Sequence, residues 1–240
     1  MKIAMWSGPR NLSTAMMRSF GARGDTVVSD EPFYGAYLKD TGDDQPMKEV
    51  VIASMDCDWA SVARNMSGST PGGAAIWYQK HMAHHMEGPV GIGDLAGHAH
   101  AFLIRDPARV IASYAAKRVA VNAGHLGIAR QRAYFDREAD RLGRAPPVVD
   151  AAEILNDPAG VLARLCGALG IGWDPAMLAW APGRRDTDGV WASHWYGAVE
   201  ASTGFGPPDT RPVAVAGEAA GVLAECQPHY DYLAGFRLKA

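Results

Sequence analysis

Residues 8–14 read GPRNLST and follow a short apolar run. Gly8 permits a tight turn, and Arg10 supplies positive charge. Ser13 and Thr14 supply hydroxyls and backbone N–H donors where a helix is expected to begin. A strand, a turn and a helix N-terminus in this order favour the binding of an anion. The lysine of a nucleoside-triphosphate loop, G-x-x-x-x-G-K-[ST], is missing, so the stretch predicts an anion-binding loop of another kind.

A second candidate anion site lies in the sequence FLIRDPARVIASY, residues 102–114. Arg105 ends a run that is expected to form a strand, and Ser113 follows eight residues later. A helix is expected to begin between them at Pro107, with Asp106 as its N-cap. An arginine that leaves a buried strand needs an anionic partner. The residues alone leave open whether this partner is a bound anion or Asp106 within the turn.

Two further stretches contain residues that could act as a general base. SDEPFY places Glu31 directly after an apolar run, and YQKHMAHHM places Lys80 and His81 after the next one. The ordinary pKa of histidine, about 6.5, suits a base at neutral pH, whereas the pKa of a glutamate must first be raised by burial. We therefore prefer His81 slightly over Glu31. Structural roles stay open for both, because Glu31 precedes Pro32 in a potential turn and histidines often pack inside proteins.

The composition limits the classes of partner. A net charge of −3 gives no reason to expect a nucleic-acid partner, so any anion site must be local. Three scattered cysteines form no CxxC pair and indicate thiols in a reducing compartment. His81, His84 and His85 have a spacing that metal ligands use on helices, but no acidic or cysteine partner lies nearby, and we expect no metal site. No run approaches the length of a membrane span, which favours a cytoplasmic protein without membrane contact.

Short apolar runs alternate with helical patterns along the chain. Because these runs are continuous, they predict strands of a buried parallel sheet at residues 2–6, 26–30, 74–79, 100–105 and 147–150. Capping signals and apolar spacing predict helices at residues 13–23, 107–120, 126–142, 157–170 and 217–235. The alternation predicts one three-layer α/β domain over residues 1–240, with a central parallel sheet. Ligands of such folds bind at the carboxyl ends of the strands, near Ser7, Asp30, Lys80 and Arg105.

Taken together, GPRNLSTA at residues 8–15 and IRDPARVIASY at residues 104–114 resemble the two nucleotide-binding motifs of the sulfotransferase superfamily. These enzymes move a sulfuryl group from 3′-phosphoadenosine-5′-phosphosulfate (PAPS) to a hydroxyl or amine. The resemblance covers roughly residues 1–170 and implies a three-layer α/β fold of the P-loop nucleoside-triphosphate-hydrolase type. It implies that the 5′-phosphosulfate is bound by Gly8, Pro9, Arg10, Asn11, Leu12, Ser13 and Thr14, and the 3′-phosphate by Arg105 and Ser113.

The resemblance also implies catalytic roles. Arg10 would stabilise charge on the leaving phosphate. The transferred sulfuryl group carries less charge than a phosphoryl group, so a metal ion is less necessary. Members of the superfamily use a glutamate, or a histidine close to a lysine, at positions similar to those of Glu31, Lys80 and His81.

Two parts of the chain depart from the superfamily pattern. Ala15 stands where many members have a tryptophan that stacks on adenine. The late basic segment of the superfamily has only an approximate counterpart in PGRRDTDGVW, where Arg184 and Arg185 are candidates for 3′-phosphate contacts. The acceptor is expected to be a small molecule, with its pocket shaped by loops at residues 35–70, 120–146 and 183–212. The aromatic residues of VWASHWY, at positions 190–196, either line this pocket or pack in the core.

Two rival functions stay open at this point. An ATP-dependent kinase of small molecules or nucleotides shares the broad fold, but the chain lacks G-K-[ST]. ATP also has no 3′-phosphate to engage Arg105 and Ser113. A non-catalytic binder of adenosine 3′,5′-bisphosphate would keep both anion motifs without transfer chemistry. The oligomeric state is open as well, and a homo-oligomer is possible.

Overall fold

The computed structural model describes residues 1–95, 97–115, 121–208 and 210–239. Within these ranges five strands form a parallel sheet: β1 (Lys2–Ser7), β2 (Thr26–Asp30), β3 (Ile76–Met82), β4 (His98–Ile104) and β5 (Val148–Asp150). Their order across the sheet is β2-β3-β1-β4-β5, so β1 lies at the centre. The five predicted strands are confirmed, but β3 continues past the predicted end at residue 79 and contains both Lys80 and His81.

Helices connect and cover the strands. Their bounds are α1 (Ser13–Gly21), α2 (Tyr34–Thr41), α3 (Lys48–Ser54), α4 (Trp59–Ser67), α5 (Pro107–Ala115), α6 (Ala123–Leu126), α7 (Ile128–Leu142), α8 (Ala151–Asn156), α9 (Pro158–Leu169), α10 (Ala192–Trp195), α11 (Gly197–Glu200) and α12 (Glu218–Ala234). Short 3₁₀ turns lie at Pro71–Gly73, Ala83–His85, Ile92–Asp94 and Pro175–Leu178.

The helices agree with the sequence in part. The five predicted helices correspond to α1, α5, α7, α9 and α12. Of the predicted helix at 107–120, residues 116–120 lie outside the described residues. Residues 35–70, expected to be loops, contain most of α2 and all of α3 and α4. The sequence of α4 carries a clear start signal, since Asp58 accepts a hydrogen bond from the backbone N–H of Ser61 as N-cap.

The helices lie in two layers, one on each face of the sheet. On one face Phe20 of α1 stacks on Tyr78 of β3, with ring centroids 4.3 Å apart. On the other face Tyr134 of α7 packs against Trp6 of β1 at 4.9 Å. Because successive residues of a strand point to opposite faces, β3 presents Tyr78 and Lys80 to one layer and His81 to the other. The predicted three-layer α/β fold is confirmed.

The carboxyl ends of β1, β2, β3 and β4 meet along one edge of the sheet. The predicted anion-binding loop follows β1, Glu31 follows β2, and Arg105 follows β4. This edge therefore collects the chemistry that the sequence analysis singled out. Among the described residues, no helix is both long and apolar enough to cross a membrane.

Candidate active site

A cavity of about 380 Å³ opens at the carboxyl edge of the sheet. One wall is residues 9–15, which follow β1. The opposite wall consists of Glu31, the end of β3 and the 3₁₀ turn Ala83–His85. A late segment, residues 191–206, covers the space between them. The volume lies in the range of small-molecule binding sites.

The loop after β1 is held tightly against its neighbours. A Cβ atom on Gly8 would lie 2.5 Å from the carbonyl oxygen of Leu126, so only glycine fits there. Asn11 donates a hydrogen bond of 2.9 Å to the carbonyl oxygen of Leu103 at the end of β4. Pro9, Arg10, Asn11, Leu12, Ser13 and Thr14 all line the cavity, whereas Gly8 lies behind the loop.

The backbone of this loop has the form of an anion cradle. Arg10 and Leu12 have positive φ angles of 57° and 72°, a left-handed conformation that is uncommon for residues other than glycine. Such conformations are retained mainly at functional sites, and residues of alternating handedness form concave anion-binding nests. Leu12 occupies the N-cap of α1 and provides no side-chain cap. The first N–H groups of α1 are therefore not capped by this side chain, and Ser13 and Thr14, which carry two of them, line the cavity.

The two predicted anion motifs meet at this cradle. The Arg105 guanidinium donates a hydrogen bond of 2.6 Å to the carbonyl oxygen of Arg10. The Arg10 Nε atom in turn donates to the Ser113 hydroxyl at 3.0 Å. Burial lowers the pKa of Arg10 from its ordinary value. Both arginines line the cavity, and Ser113 joins it through Arg10.

A buried ionic network occupies the opposite wall. The Lys80 ammonium donates to Asp30 Oδ1 at 2.9 Å, to Glu31 Oε1 at 2.6 Å and to the Tyr196 hydroxyl at 2.5 Å. Its three protons are therefore all used. Burial alone would lower the pKa of Lys80, but the charges of Asp30 and Glu31 raise it well above its ordinary value. Burial raises the pKa of Asp30, against the opposing charge of Lys80.

Two residues of the late segment complete this network. The Tyr196 hydroxyl donates to Asp30 Oδ2 at 2.7 Å and accepts a hydrogen bond of 3.1 Å from Trp191 Nε1. Sequence reasoning named Asp30 only as a position where a strand ends at the binding edge, and it left Tyr196 between a pocket role and a core role. The only local signal was the adjacency of Asp30 to Glu31, because Tyr196 reaches Lys80 across 116 positions of sequence.

His81 does not reach the cavity. Its ring stacks on Trp6 with centroids 4.7 Å apart, and its Nε2 atom lies 3.1 Å from Gln79 Oε1 on the opposite face of the sheet from Lys80. Burial lowers the pKa of His81 well below its ordinary value. The physical reason is strand alternation: Lys80 and His81 belong to β3 rather than to a loop after it, so only one of them can face the site.

His85 is the histidine that lies beside Glu31. Its Nδ1 atom is 3.8 Å from Glu31 Oε2, and the side chain lines the cavity while being only 4% exposed. Its ring stacks on that of Tyr34, with ring centroids 4.3 Å apart and an interplanar angle of 1°. The ring centroid of Tyr37 is 4.9 Å away. Sequence reasoning noted His85 only as part of a metal-like spacing. Among the described residues no group of side chains is able to hold a metal ion.

The arginine pair predicted in the late segment lies outside the cavity wall. Arg184 is exposed, and Arg185 donates to backbone carbonyl groups of its own loop, those of Pro182, Gly183 and Arg184 among them. The same loop is fixed to α1 by a buried ion pair in which Arg18 contacts both carboxylate oxygens of Asp188 at 2.6 Å. The cavity wall instead contains Ala15, Trp195 and Phe205.

The five-stranded parallel sheet, with its flanking helices and its loops gathered at the carboxyl edge, defines a protein of the P-loop-like α/β class. The chain belongs to the family described as "Sulfotransferase domain", whose profile matches residues 1–235. It is similar in fold to the sulfotransferase domain from the curacin biosynthetic pathway, with a TM-score of 0.56, 14% identity and coverage of 99% of this chain and 98% of that chain. A sulfotransferase from Alicyclobacillus acidocaldarius gives a TM-score of 0.55 at 13% identity, with 100% and 97% coverage.

Two longer plant proteins are more similar in sequence. Branched-chain-amino-acid aminotransferase-like protein 2 of Arabidopsis thaliana is 33% identical over 232 residues, which is 96% of this chain and 41% of that protein. Branched-chain-amino-acid aminotransferase-like protein 1 of the same plant is 35% identical over 210 residues, which is 88% of this chain and 37% of that protein. The chain thus spans about two fifths of these relatives, and their names describe proteins of which it matches only a part.

Proposed function

We propose that this protein transfers a sulfuryl group from PAPS to a hydroxyl or amine of a small-molecule acceptor. One observation carries the proposal: the two motifs meet in one cavity, where Arg105 holds the backbone of Arg10 at 2.6 Å and Arg10 holds Ser113 at 3.0 Å. A site for one phosphate needs only the first motif. Two linked cationic groups at one cavity fit a ligand with phosphates at both its 5′ and 3′ positions.

The residues of the cradle fit PAPS. Residues 9–14 would hold the 5′-phosphosulfate with backbone N–H groups and the hydroxyls of Ser13 and Thr14, and Arg105 and Ser113 would hold the 3′-phosphate. PAPS supplies the activated sulfuryl group and a bisphosphate that can leave. The Arg10 guanidinium and the N-terminus of α1 stabilise negative charge on the 5′-phosphate, and the charge develops where these groups are already in place.

The opposite wall handles the acceptor. Glu31 lines the cavity and His81 does not, so we assign Glu31, with Lys80 holding its Oε1 atom, to the group of residues that promotes loss of the acceptor's proton. The rings of Tyr34, Trp191 and Trp195 also line this part of the cavity and suit an acceptor with an apolar body.

Thermal melts test the donor. Adenosine 3′,5′-bisphosphate at about 100 times its Kd should stabilise the fold by about 2.7 kcal/mol, a rise in Tm of roughly 5–11 °C for a chain of this size. 5′-AMP and ATP with Mg²⁺ should give smaller rises. A larger rise with ATP and Mg²⁺ would support the rival kinase and contradict the proposal.

Two arginine variants test the 3′-phosphate. Arg105→Ala should abolish the preference for the bisphosphate over 5′-AMP. Arg184→Ala is the matched control, because this arginine is exposed and lies outside the cavity wall, and it should keep the preference. The opposite pattern would move the 3′-phosphate to the late segment. Labelled PAPS with a library of hydroxyl and amine acceptors then separates an enzyme from a mere binder, since a binder yields no labelled product.

A further inference from the structure

We infer that His85 is the catalytic base of the proposed sulfuryl transfer and that Glu31 acts through it as a positioning residue. The inference rests on the proposed function and on the juxtaposition of His85 Nδ1 and Glu31 Oε2, 3.8 Å apart, at the cavity. Carboxylate and imidazole groups so arranged form the orienting half of many nucleophile-activating sites, where the carboxylate fixes the ring and stabilises its protonated form.

The packing of His85 fixes which nitrogen can act. The ring lies between those of Tyr34 and Tyr37, at 4.3 Å and 4.9 Å, which sets its plane. Among the described residues, Nδ1 is buried without a hydrogen-bond partner and lies 3.8 Å from Glu31 Oε2. With Nδ1 turned to the carboxylate, Nε2 is the nitrogen left to take a proton from an acceptor in the cavity. The 3.8 Å separation is longer than a hydrogen bond, as catalytic contacts often are before the substrate binds.

One carboxylate oxygen of Glu31 is already occupied. Its Oε1 atom accepts a hydrogen bond of 2.6 Å from the Lys80 ammonium, which leaves Oε2 to face the His85 ring. Lys80 is shared with Asp30, so the network carries one net negative charge when both carboxylates are ionised. That charge favours the imidazolium that forms when His85 accepts a proton.

Burial, more than any neighbouring charge, keeps His85 neutral before reaction. The titratable groups that face it among the described residues are Glu31, Lys80, Asp43, Tyr34, Tyr37 and His84. Burial and the charge of Lys80 lower the pKa of His85 well below its ordinary value, and Asp43 acts in the opposite direction. A neutral imidazole is the form that accepts a proton.

In the proposed transfer step, the acceptor O–H or N–H bond breaks and its proton passes to His85 Nε2. The acceptor's electron pair forms the new bond to sulfur, and the bond from sulfur to the bridging oxygen breaks, leaving its electron pair on the 5′-phosphate beside Arg10. His85 then returns the proton to solvent after the products leave.

Variants distinguish the two possible bases by their pH profiles. His85→Asn keeps a group that can hydrogen-bond Glu31 but removes Nε2, so it should lower kcat by about 10²- to 10⁴-fold and abolish the acid limb of the kcat profile. Glu31→Gln should lower kcat less and keep that limb, moved to lower pH because a negative charge beside the imidazole is lost. If Glu31→Gln abolishes the limb and His85→Asn keeps it, the inference is overturned.

A matched control and a second readout guard against misfolding and inactivity. His229→Asn makes the same substitution at a histidine of α12 that lies outside the cavity wall, so kcat should change less than about threefold. Imidazole ¹⁵N shifts in the wild-type protein should place the His85 proton on Nδ1 and lose that preference in Glu31→Gln. A proton on Nε2 overturns the inference even if no acceptor is ever found, whereas failure of transfer alone contradicts only the proposed function.

Discussion

The Tyr196 hydroxyl is the group on which the buried network converges, and its removal should be unusually costly for so small a change. It donates to Asp30 at 2.7 Å and accepts from Lys80 at 2.5 Å and from Trp191 at 3.1 Å. Tyr196 is only 5% exposed, so water does not replace these bonds when the hydroxyl is absent. Tyr196→Phe leaves an incompletely paired carboxylate and an indole N–H without its acceptor.

The magnitude follows from those contacts. A hydrogen bond to a charged group contributes about 1.5–3 kcal/mol, and a buried donor left unpaired costs about 1–3 kcal/mol. The contacts share one atom and are not additive, so we expect Tyr196→Phe to lower the free energy of unfolding by about 3 kcal/mol. For a chain of this size that is a fall in Tm of about 6–12 °C.

The chain contains two tyrosines that make the same kind of bond in more exposed places. Tyr230 is half-buried and donates to Asp150 at 2.7 Å. Tyr232 is 36% exposed and donates to Asp136 at 2.9 Å. Tyr230→Phe should cost about 1 kcal/mol, because the buried Asp150 keeps a hydrogen bond from the backbone N–H of Ala152. Tyr232→Phe should cost about 0.5 kcal/mol or less, because water competes for the exposed Asp136.

Urea unfolding of the three variants measures these losses of unfolding free energy, provided that the slope of free energy against urea concentration stays constant. The expected order of destabilisation is Tyr196→Phe, then Tyr230→Phe, then Tyr232→Phe. If Tyr196→Phe were no worse than Tyr232→Phe, the network would be solvated rather than buried. The assignment of Lys80 as a fixed partner of both carboxylates would then fail.

Two further predictions concern stability. Burial lowers the pKa values of His81, His85 and His100, and that of His100 falls to about 4. Below about pH 6.5 the unfolded chain binds protons at these histidines that the folded chain does not bind. The free energy of unfolding should therefore fall by about 3 kcal/mol per pH unit between pH 6 and 5, a figure that allows for the opposing effect of the raised pKa of Asp30. A flat profile of unfolding free energy against pH in urea titrations would contradict this. Asp188→Asn should cost about 3–5 kcal/mol because it leaves Arg18 buried without its anion, whereas Glu153→Gln, whose pair with Arg237 is about one-third exposed, should cost less than about 1 kcal/mol in the same urea assay.

The fold could be predicted because its strands are short, apolar and buried on both faces. The end of β3 could not, because Lys80 and His81, which follow Gln79, are polar and were expected to lie after the strand. Lys80 is tolerated inside a strand only because Asp30 and Glu31, fifty positions earlier, surround its ammonium. A buried charge that is neutralised by distant residues leaves no local trace in the sequence.

The dependence on contacts between distant residues also explains which candidate site residues the sequence could suggest. The loop at residues 8–14 and the pair of Arg105 and Ser113 have fixed local spacing, so a short stretch of sequence was enough to suggest them. The preference for His81 depended on which face of β3 its side chain takes, and the longer strand turns that side chain away from the cavity. His85 gained its candidate role only when the fold brought it to Glu31, fifty-four positions away in the chain.

The distribution of charge across the cavity bears on how the two substrates are kept apart. Arg10, Arg105 and the N-terminus of α1 make one wall positive, while Asp30 and Glu31 outweigh Lys80 on the other. Under the proposed function, a polyanionic donor would be attracted to the first wall and repelled by the second, which would favour one orientation of entry. The late segment is bound to both regions, through Arg18 of α1 by way of Asp188 and through Asp30 by way of Tyr196. Any motion that frees this segment must break a buried ion pair or a buried hydrogen-bond network, which makes the cavity a preformed site rather than one assembled by the ligand.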